Sequence, residues 1–488
     1  MSQLQVASNS IKSNFVYNII NTVSGLLFPL ITFPYASRVL MVEGIGQVQF
    51  FTSIINYIVL LTSLGIPMYA IRETAGVRDD IKKLSKTTTE ILSLNLLLSF
   101  LGYIVVFVIC GVFGEVKVNI PLFLLLSTSI LLTTIGCTWF YSGIEDFKFV
   151  TIRGLIVKTL GVIFLFLFVR TQDDLLWYGI YAILGSVGNN VINFLRLRKY
   201  VDIKSFYWKE IKPFRHLKPS LEIFVFNLIA SVYINLDTVM IGFLKDNIAV
   251  GFYTAATKIS HLLLTIVTAL SPVMLPRLSN LIKNERKDEF YSLANKSYCF
   301  SLMLSLPMCL GLIVLSPTMI RLFSGESFEP AILTLQIISP IIVAIAISNF
   351  IGIQVLYPLG KIKIVTVSTA VGAIVNFALN LLLIPDYSQN GAAIATVAAE
   401  WGVTFTQFFL AYKIIPFRLI NWNFIKYLVV ALIMALFCGV FMKLEYPDYV
   451  NIIVVPIMGV FVYGIIMLLI KDKLTLEMTQ IINKKLHI

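Results

Sequence analysis

The chain has 488 residues, of which 58% are hydrophobic and only 13% charged, and its formal net charge is +12. A mean hydropathy of +0.88 excludes a soluble globule of this size. It also excludes a strand barrel, whose alternation of lipid-facing and inward-facing residues would halve that value. The positive charge calls for no nucleic acid, because it sits in the gaps between apolar stretches.

Fourteen such stretches follow one another, near 14–37, 45–70, 88–113, 119–143, 150–169, 174–196, 219–243, 250–276, 298–316, 331–357, 364–384, 388–412, 427–443 and 449–470. Each has about the 20 residues that a helix needs to cross a hydrocarbon core. The first is too long for the apolar part of a signal peptide and is expected to be retained. Thirty of the 38 Lys and Arg lie in or at the edges of alternate gaps, counted from the N-terminal segment. Six lie in the intervening gaps, and Lys158 and Lys258 fall inside stretches. Basic residues are held on the cytoplasmic side during insertion. The count therefore predicts an inner-membrane protein with an even number of crossings and both termini in the cytoplasm.

The longest gap, a basic connector at 198–218, divides two sides that repeat in order. Pro67-Met-Tyr-Ala-Ile-Arg72 is answered by Pro272-Val-Met-Leu-Pro-Arg277, each read as the cytoplasmic end of a helix. Glu43 to Phe50 is answered by Asp246 to Tyr253, Phe113-Gly-Glu115 by Phe323-Ser-Gly-Glu326, and Lys148-Phe-Val-Thr-Ile152 by Lys363-Ile-Val-Thr-Val367. Such repetition predicts an all-α fold of 14 transmembrane helices. Two six-helix bundles, 1–197 and 219–413, are related by a pseudo-two-fold axis along the membrane normal. Helices 13 and 14 follow over 414–471, and 472–488 forms a cytoplasmic amphipathic tail. Paired bundles of this kind leave a central cleft, the mechanical requirement for alternating access.

Phe28-Pro-Leu-Ile-Thr-Phe-Pro-Tyr-Ala-Ser-Arg-Val-Leu40 with Glu43-Gly-Ile-Gly46 resembles the first hairpin of bacterial polysaccharide flippases of the Wzx type. Trp139-Phe-Tyr-Ser-Gly-Ile-Glu145 with Val150-Thr-Ile-Arg153, Tyr233-Ile-Asn-Leu-Asp237, Met274-Leu-Pro-Arg-Leu278 and Gly391 to Glu400 continue the likeness over roughly residues 10–415. Met41 stands where the commonest family form has Gly, an exchange we expect the position to tolerate. The resemblance implies the fold of the multidrug/oligosaccharidyl-lipid/polysaccharide (MOP) exporters, related to the MATE transporters. It implies location in a bacterial inner membrane and export of an undecaprenyl-pyrophosphate-linked oligosaccharide from the cytoplasmic to the periplasmic leaflet, for capsule, O-antigen or exopolysaccharide. Membrane lipids and the polymerase and chain-length regulator of the same pathway are the partners it implies. A lipid II or teichoic-acid-chain flippase and a multidrug or cation antiporter of the same superfamily are the competing readings.

A pyrophosphate favours Arg, whose planar fork donates two parallel charge-assisted hydrogen bonds. Charge within a span is costly unless it faces a wet cavity or a partner. Arg72 and Arg277, at matched repeat positions, suit an entrance for pyrophosphate or a simple cytoplasmic anchor. Arg153, inside the cytoplasmic end of the fifth span, shares that ambiguity, and Arg38, near the outer end of the first, suits an exit. Asp237 and Lys258 lie about 9 and 12 Å deep at ~1.5 Å per residue, where they either pair or line a cavity; His261 shares the Lys258 face. Glu400 lies about 18 Å from its entry surface. It is either a structural acid paired with a base such as Lys158, or a group that couples transport to protons or Na+; Asp237 is the other candidate for coupling. Glu90 and Glu222 are read as carboxylates at cytoplasmic helix starts, facing the helix dipole.

Five cysteines lie within or at the edges of spans and three histidines do not cluster, so packing is their expected role and no metal site or other cofactor is expected. A glycan polymerase or ligase would need a long outer loop. The longest here, about 317–330, offers only Arg321, Glu326 and Glu329, and no enzyme is expected.

Overall fold

Apolar runs of this length leave the helix as the economical way to satisfy the backbone, and no strand occurs among the residues described. The computed structural model describes residues 11–202, 210–414 and 421–486. The first ten residues of the expected N-terminal bundle, the middle of the connector, positions 415–420 and the last two residues of the tail lie outside that range. The chain divides into two compact units, Met1–Phe243 and Leu244–Ile488.

The first unit begins with α1 (Ile11–Ser63), α2 (Ile66–Val77) and α3 (Ile81–Val112). The short α4 (Gly114–Lys117), α5 (Ile120–Ile135), α6 (Thr138–Gly143) and α7 (Phe147–Phe168) follow. A pair α8 (Leu175–Val187) and α9 (Asn189–Leu197), bent by 48°, precedes a 3-10 turn over Pro213–His216 and α10 (Leu217–Leu244). Helix α1 packs along α3, α5 and α7, while α2 packs on α3 and α6. Tyr69, Ile91, Leu94, Trp139, Phe140 and Tyr141 form the centre of a buried cluster that joins α2, α3 and α6.

The second unit contains α11 (Asn247–Thr268), α12 (Leu270–Lys283), α13 (Lys287–Phe323), α14 (Ala331–Ile338) and α15 (Ile341–Asn349). A π-helical segment Phe350–Leu356 leads to α16 (Ile362–Ala411), α17 (Trp422–Met442), α18 (Asp448–Leu469) and α19 (Lys473–Leu486). Helix α13 packs on α12, α14, α15, α17 and α18. A buried uncharged network supports the π segment: Gln354 donates to the Ser271 hydroxyl at 2.9 Å and accepts from Ser297 at 2.5 Å, and Ser271 bonds Asn349. Ten helices among the described residues are long and apolar enough to cross a membrane, and the bent α8–α9 pair would be an eleventh. Large apolar side chains such as Phe107, Phe409, Val460 and Leu469 are at least 73% exposed. A water-facing surface would not carry so many of them, whereas lipid would cover them.

The helix ends differ from the sequence reading in one instructive way. The second stretch was expected to end near Arg72, but the helix breaks earlier, at Leu64 and Gly65, and resumes as α2 through Val77. Gly65 has φ 74, and a β-carbon there would lie 2.6 Å from the Ser220 carbonyl oxygen and 2.8 Å from the Phe224 nitrogen of α10. Pro67 then opens the new helix, where its missing N–H costs nothing. In the second unit α11 stops at Thr268 and α12 restarts with Pro272 in its first turn. Arg72 and Arg277 thus lie inside short helices after a break rather than at the ends of long ones.

Two helices are interrupted at a single residue, α1 at Met41 (φ 59, ψ −172) and α16 at Ser388 (φ 54, ψ −135). The conformation of Met41 is one that only glycine adopts without strain. The relief on replacing Met41 by Gly, about 1–3 kcal/mol, outweighs the extra entropy of an unfolded glycine, about 0.4–1 kcal/mol. Met41→Gly should therefore raise the thermal unfolding midpoint in detergent, and Gly65→Ala should lower it. An M41G protein no more stable than its parent would show that the break is held without strain.

Candidate functional site

The residues singled out for charge have distinct surroundings. On α2, Arg72 has a side chain 70% exposed, its nearest carboxylate contact being Glu73 at 3.4 Å, and it lies over the Tyr69 ring. Arg277 is exposed on α12, and Arg38, exposed just before the α1 break, donates to the Pro34 carbonyl at 2.7 Å. Lys158 on α7 donates to the Ser24 hydroxyl at 3.0 Å. Asp237 is buried on α10, with Tyr57 within reach of its charge. On α11, Lys258 is half-buried and His261, one turn on, is exposed; Glu400 is half-buried on α16.

Arg153 stands apart from the other three arginines because it is only 6% exposed. Asp146 caps the start of α7 by accepting from the Phe149 N–H, and it also holds Arg196 of α9 at 2.8 Å. Arg196 lies 3.7 Å from the centre of the Phe149 ring, while Arg153 lies 5.0 Å from that ring and 5.7 Å from the Tyr141 ring. One Arg153 amino group donates to the Asn189 carbonyl at 3.3 Å. Tyr141 in turn donates to the Asn193 carbonyl at 2.6 Å, so α6, α7 and α9 meet at this box. Two guanidiniums thus lie against one aromatic ring, and of the two it is Arg196 that pairs with the carboxylate. The Arg153 Nε and the side-chain oxygens of Asn189 and Asn193 are buried without a hydrogen-bond partner. Such a cradle holds a donor and two acceptors in reserve, at the desolvation cost of each.

A second polar centre, on the neighbouring face of the same cluster, was not found from sequence. Glu90 lies well inside α3 and is wholly buried; the cap of that helix is Asp80, which accepts from the Lys83 N–H at 3.0 Å. Glu90 is therefore no dipole partner. It accepts from Arg215 at 2.6 Å, from His216 at 3.1 Å and from the Lys212 backbone N–H at 2.9 Å. The other ring nitrogen of His216 meets the Tyr69 hydroxyl of α2 at 2.7 Å. A carboxylate can only accept here, so Nε2–H donates to Glu90 and Nδ1 accepts from Tyr69. Ser85 adds a further tie by accepting from the Asp202 N–H at 2.9 Å. The described ends of the connector are thus clasped to α3 and α2 by charge-assisted bonds. An acid ten residues into a helix, with Arg-His in a later basic segment, is the only signal the sequence carried.

The family described as polysaccharide biosynthesis protein matches residues 11–282, more than half of the chain. The chain belongs to that family. Residues 223–382 also match the family MatE. A protein of Escherichia coli (strain K12), provisionally named an O-antigen transporter, is 24% identical over 406 residues, covering 81% of this chain and 95% of the relative. The solved structure of the lipid II flippase MurJ in an inward closed conformation matches with a TM-score of 0.72 and 19% identity, over 94% of this chain and 99% of that one. An inward-facing multidrug resistance MATE family transporter of the MOP superfamily matches with a TM-score of 0.63 and 15% identity, over 84% and 96%. At those identities the two structures speak for the fold, which is the all-helical MurJ/MATE-like one. The likeness to Wzx-type flippases read from the first hairpin is borne out, and the polysaccharide biosynthesis protein is a multi-span membrane protein of the MOP superfamily.

Two outcomes follow for this family member. Burial holds the His216 imidazole below its ordinary value of about 6.5, with the Arg215 charge adding to the effect and the Glu90 contact opposing it. An opened connector takes up a proton below about pH 6.5 while the clasped one resists, so the clasp is full above that pH and weakens as pH falls. Amide exchange over 210–217 should accelerate from pH 7.5 to 5.5 beyond its intrinsic change, and His216→Gln should remove the excess. The Arg153 box predicts a packing role: Arg153→Ala should lower folded stability by about 2 kcal/mol, read as reduced folded abundance. Normal abundance of R153A would exclude that role.

Proposed function

We propose that this polysaccharide biosynthesis protein flips undecaprenyl-pyrophosphate-linked oligosaccharide repeat units from the cytoplasmic to the periplasmic leaflet of a bacterial inner membrane, by alternating access, for capsule, O-antigen or exopolysaccharide synthesis. The observation that carries this reading is the match over 95% of a relative named as an O-antigen transporter. The polyprenyl tail stays in lipid, while a pyrophosphate and several sugars require a hydrated, cationic path through protein. Exposed guanidiniums supply the charge: Arg72 and Arg277 receive the pyrophosphate and Arg38 serves its release. Asp237, Lys258 and His261 line the path, and Glu400 or Asp237 couples movement to H+ or Na+. Arg153, with its buried fork half-engaged, holds the α6–α7–α9 corner beside the path and takes part only if that corner opens.

Fourteen crossings fit the helix lengths. Helix α1 has 53 residues, roughly 80 Å if straight at 1.5 Å per residue, against a hydrocarbon core of about 30 Å. Counting α1 and α16 as two crossings each, broken at Met41 and Ser388, and adding the bent pair and α10 to the remaining spans gives an even total, which returns both termini to one side; the basic gaps argue for the cytoplasmic one. The paired motifs also fall at like places in chain order: Pro67 and Pro272 open α2 and α12, and Lys148 and Lys363 open α7 and α16. This supports two six-helix halves in parallel orientation. The pathway's polymerase and chain-length regulator are the protein partners that the reading proposes.

The MatE match over 223–382 favours one second reading, a multidrug or cation antiporter. The two part in cells depleted of the protein. A flippase leaves one undecaprenyl-pyrophosphate repeat unit accumulated and surface polymer missing, by mass spectrometry of lipid-linked glycans. An antiporter leaves the profile unchanged and sensitivity to toxic cations altered. Arg72→Gln and Arg277→Gln should each reduce export several-fold at native abundance. Export at the parental rate in both would remove the proposed pyrophosphate entrance.

A further inference from the structure

The second unit holds a recess of about 290 Å³ that no part of the transport reading uses. Its walls are the first turns of α13 (Ser292, Asn295, Lys296), the start of α17 (Asn423, Lys426) and the first turns of α19 (Lys473). Two carboxylates, Asp472 and Glu477, also line it, so three ammonium groups face two acids.

Those acids are not equivalent. Asp472 is 3% exposed and saturated: Lys426 pairs with it, the Tyr427 hydroxyl donates at 3.4 Å, and both the Thr475 N–H and hydroxyl donate at 3.0 Å. That pair is closed and contributes no net charge. Glu477 meets Lys296 at 2.8 Å, but the two side chains are 36% and 51% exposed, a surface pair that water screens and another anion can exchange. Lys473 precedes Glu477 by one helical turn and is exposed. Lys296 and Lys473 therefore share a single carboxylate and leave one positive charge over a cavity whose other donors are the Ser292 hydroxyl and the Asn295 and Asn423 amides.

The surroundings say what kind of anion fits. Trp422, 75% exposed, opens α17, followed by Ile425 and Val429 at 43% and 47%. Leu468, Leu469 and Ile470 expose apolar side chains on the end of α18, next to α19. An exposed Trp at the start of an apolar helix marks a headgroup level. A cationic recess at that level, opening beside an apolar helix surface, matches a molecule with an anionic head and hydrocarbon tails.

We propose that this recess binds the phosphate of an anionic glycerophospholipid, with Lys296 and Lys473 on the phosphate and the neutral donors on its ester and glycerol oxygens. Lipid binding then exchanges the Lys296–Glu477 pair for a lysine–phosphate contact and fixes α19 against α13 and α17.

Native mass spectrometry of the full-length protein tests this, with phosphatidylglycerol, phosphatidylcholine or inorganic phosphate added to protein in neutral detergent. The parent should retain phosphatidylglycerol in clear preference to phosphatidylcholine, and the double variant K296Q/K473Q should bind it about tenfold more weakly. Lys426 and Asp472 stay untouched, so an unchanged unfolding midpoint certifies the fold of the variant; K296R/K473R should restore retention. Displacement of phosphatidylglycerol by millimolar inorganic phosphate would keep the phosphate site but assign it to a soluble anion, overturning the lipid. Equal retention of both lipids, or of phosphatidylglycerol by parent and K296Q/K473Q, would overturn the site itself.

Discussion

A carboxylate with no exposed surface loses its hydration, and only several good donors can offset that loss. Glu90 meets the requirement with an arginine, a histidine and a backbone N–H, all drawn from a segment more than 120 residues further along the chain. The packing around α2 and α3 follows from it. Tyr69 is bound to the same histidine, which fixes α2, and the aromatic cluster packs beneath. Because α2 also carries Arg72, the clasp sets where one of the exposed guanidiniums stands.

The same accounting separates the charges that hold the protein together from those that contribute little to folding. Arg153 and Arg196 are packed against rings, Asp146 is paired with Arg196, and Lys426 and Asp472 are closed on each other. Arg72 and Arg277 spend exposed charge with little return to folding, since a solvent-exposed pair contributes at most about 1 kcal/mol. In a chain with so few charged residues, charge that does little for stability is available for binding.

Helices and their approximate limits were legible because hydrocarbon enforces apolar runs. The family was legible in the first hairpin and in the fourth-to-fifth-helix segment. What escaped was whatever depends on distant pairing or on a single backbone angle. Nothing local to Glu90 shows that Arg215 and His216 will reach it, so the nearer explanation, a helix dipole, was the natural error. Arg153 could be placed near a membrane surface from sequence, but its burial depends on Phe149 and Tyr141 turning toward it. Met41 was legible only as a departure from glycine; its φ of 59 explains why glycine is the common form there.

The Glu90 clasp has a consequence for the order in which the protein is made. Synthesis runs from the N-terminus, and α3 leaves the ribosome long before the residues that neutralise its buried acid. Until His216 has emerged, the newborn helices contain a carboxylate with no donor from the connector to answer it, and the packing around Glu90 must stay open or borrow water. The closing of α2 on α3 therefore waits on the connector that follows α9. A chain halted after α9 would have formed every helix that packs around Glu90 and still be unfinished.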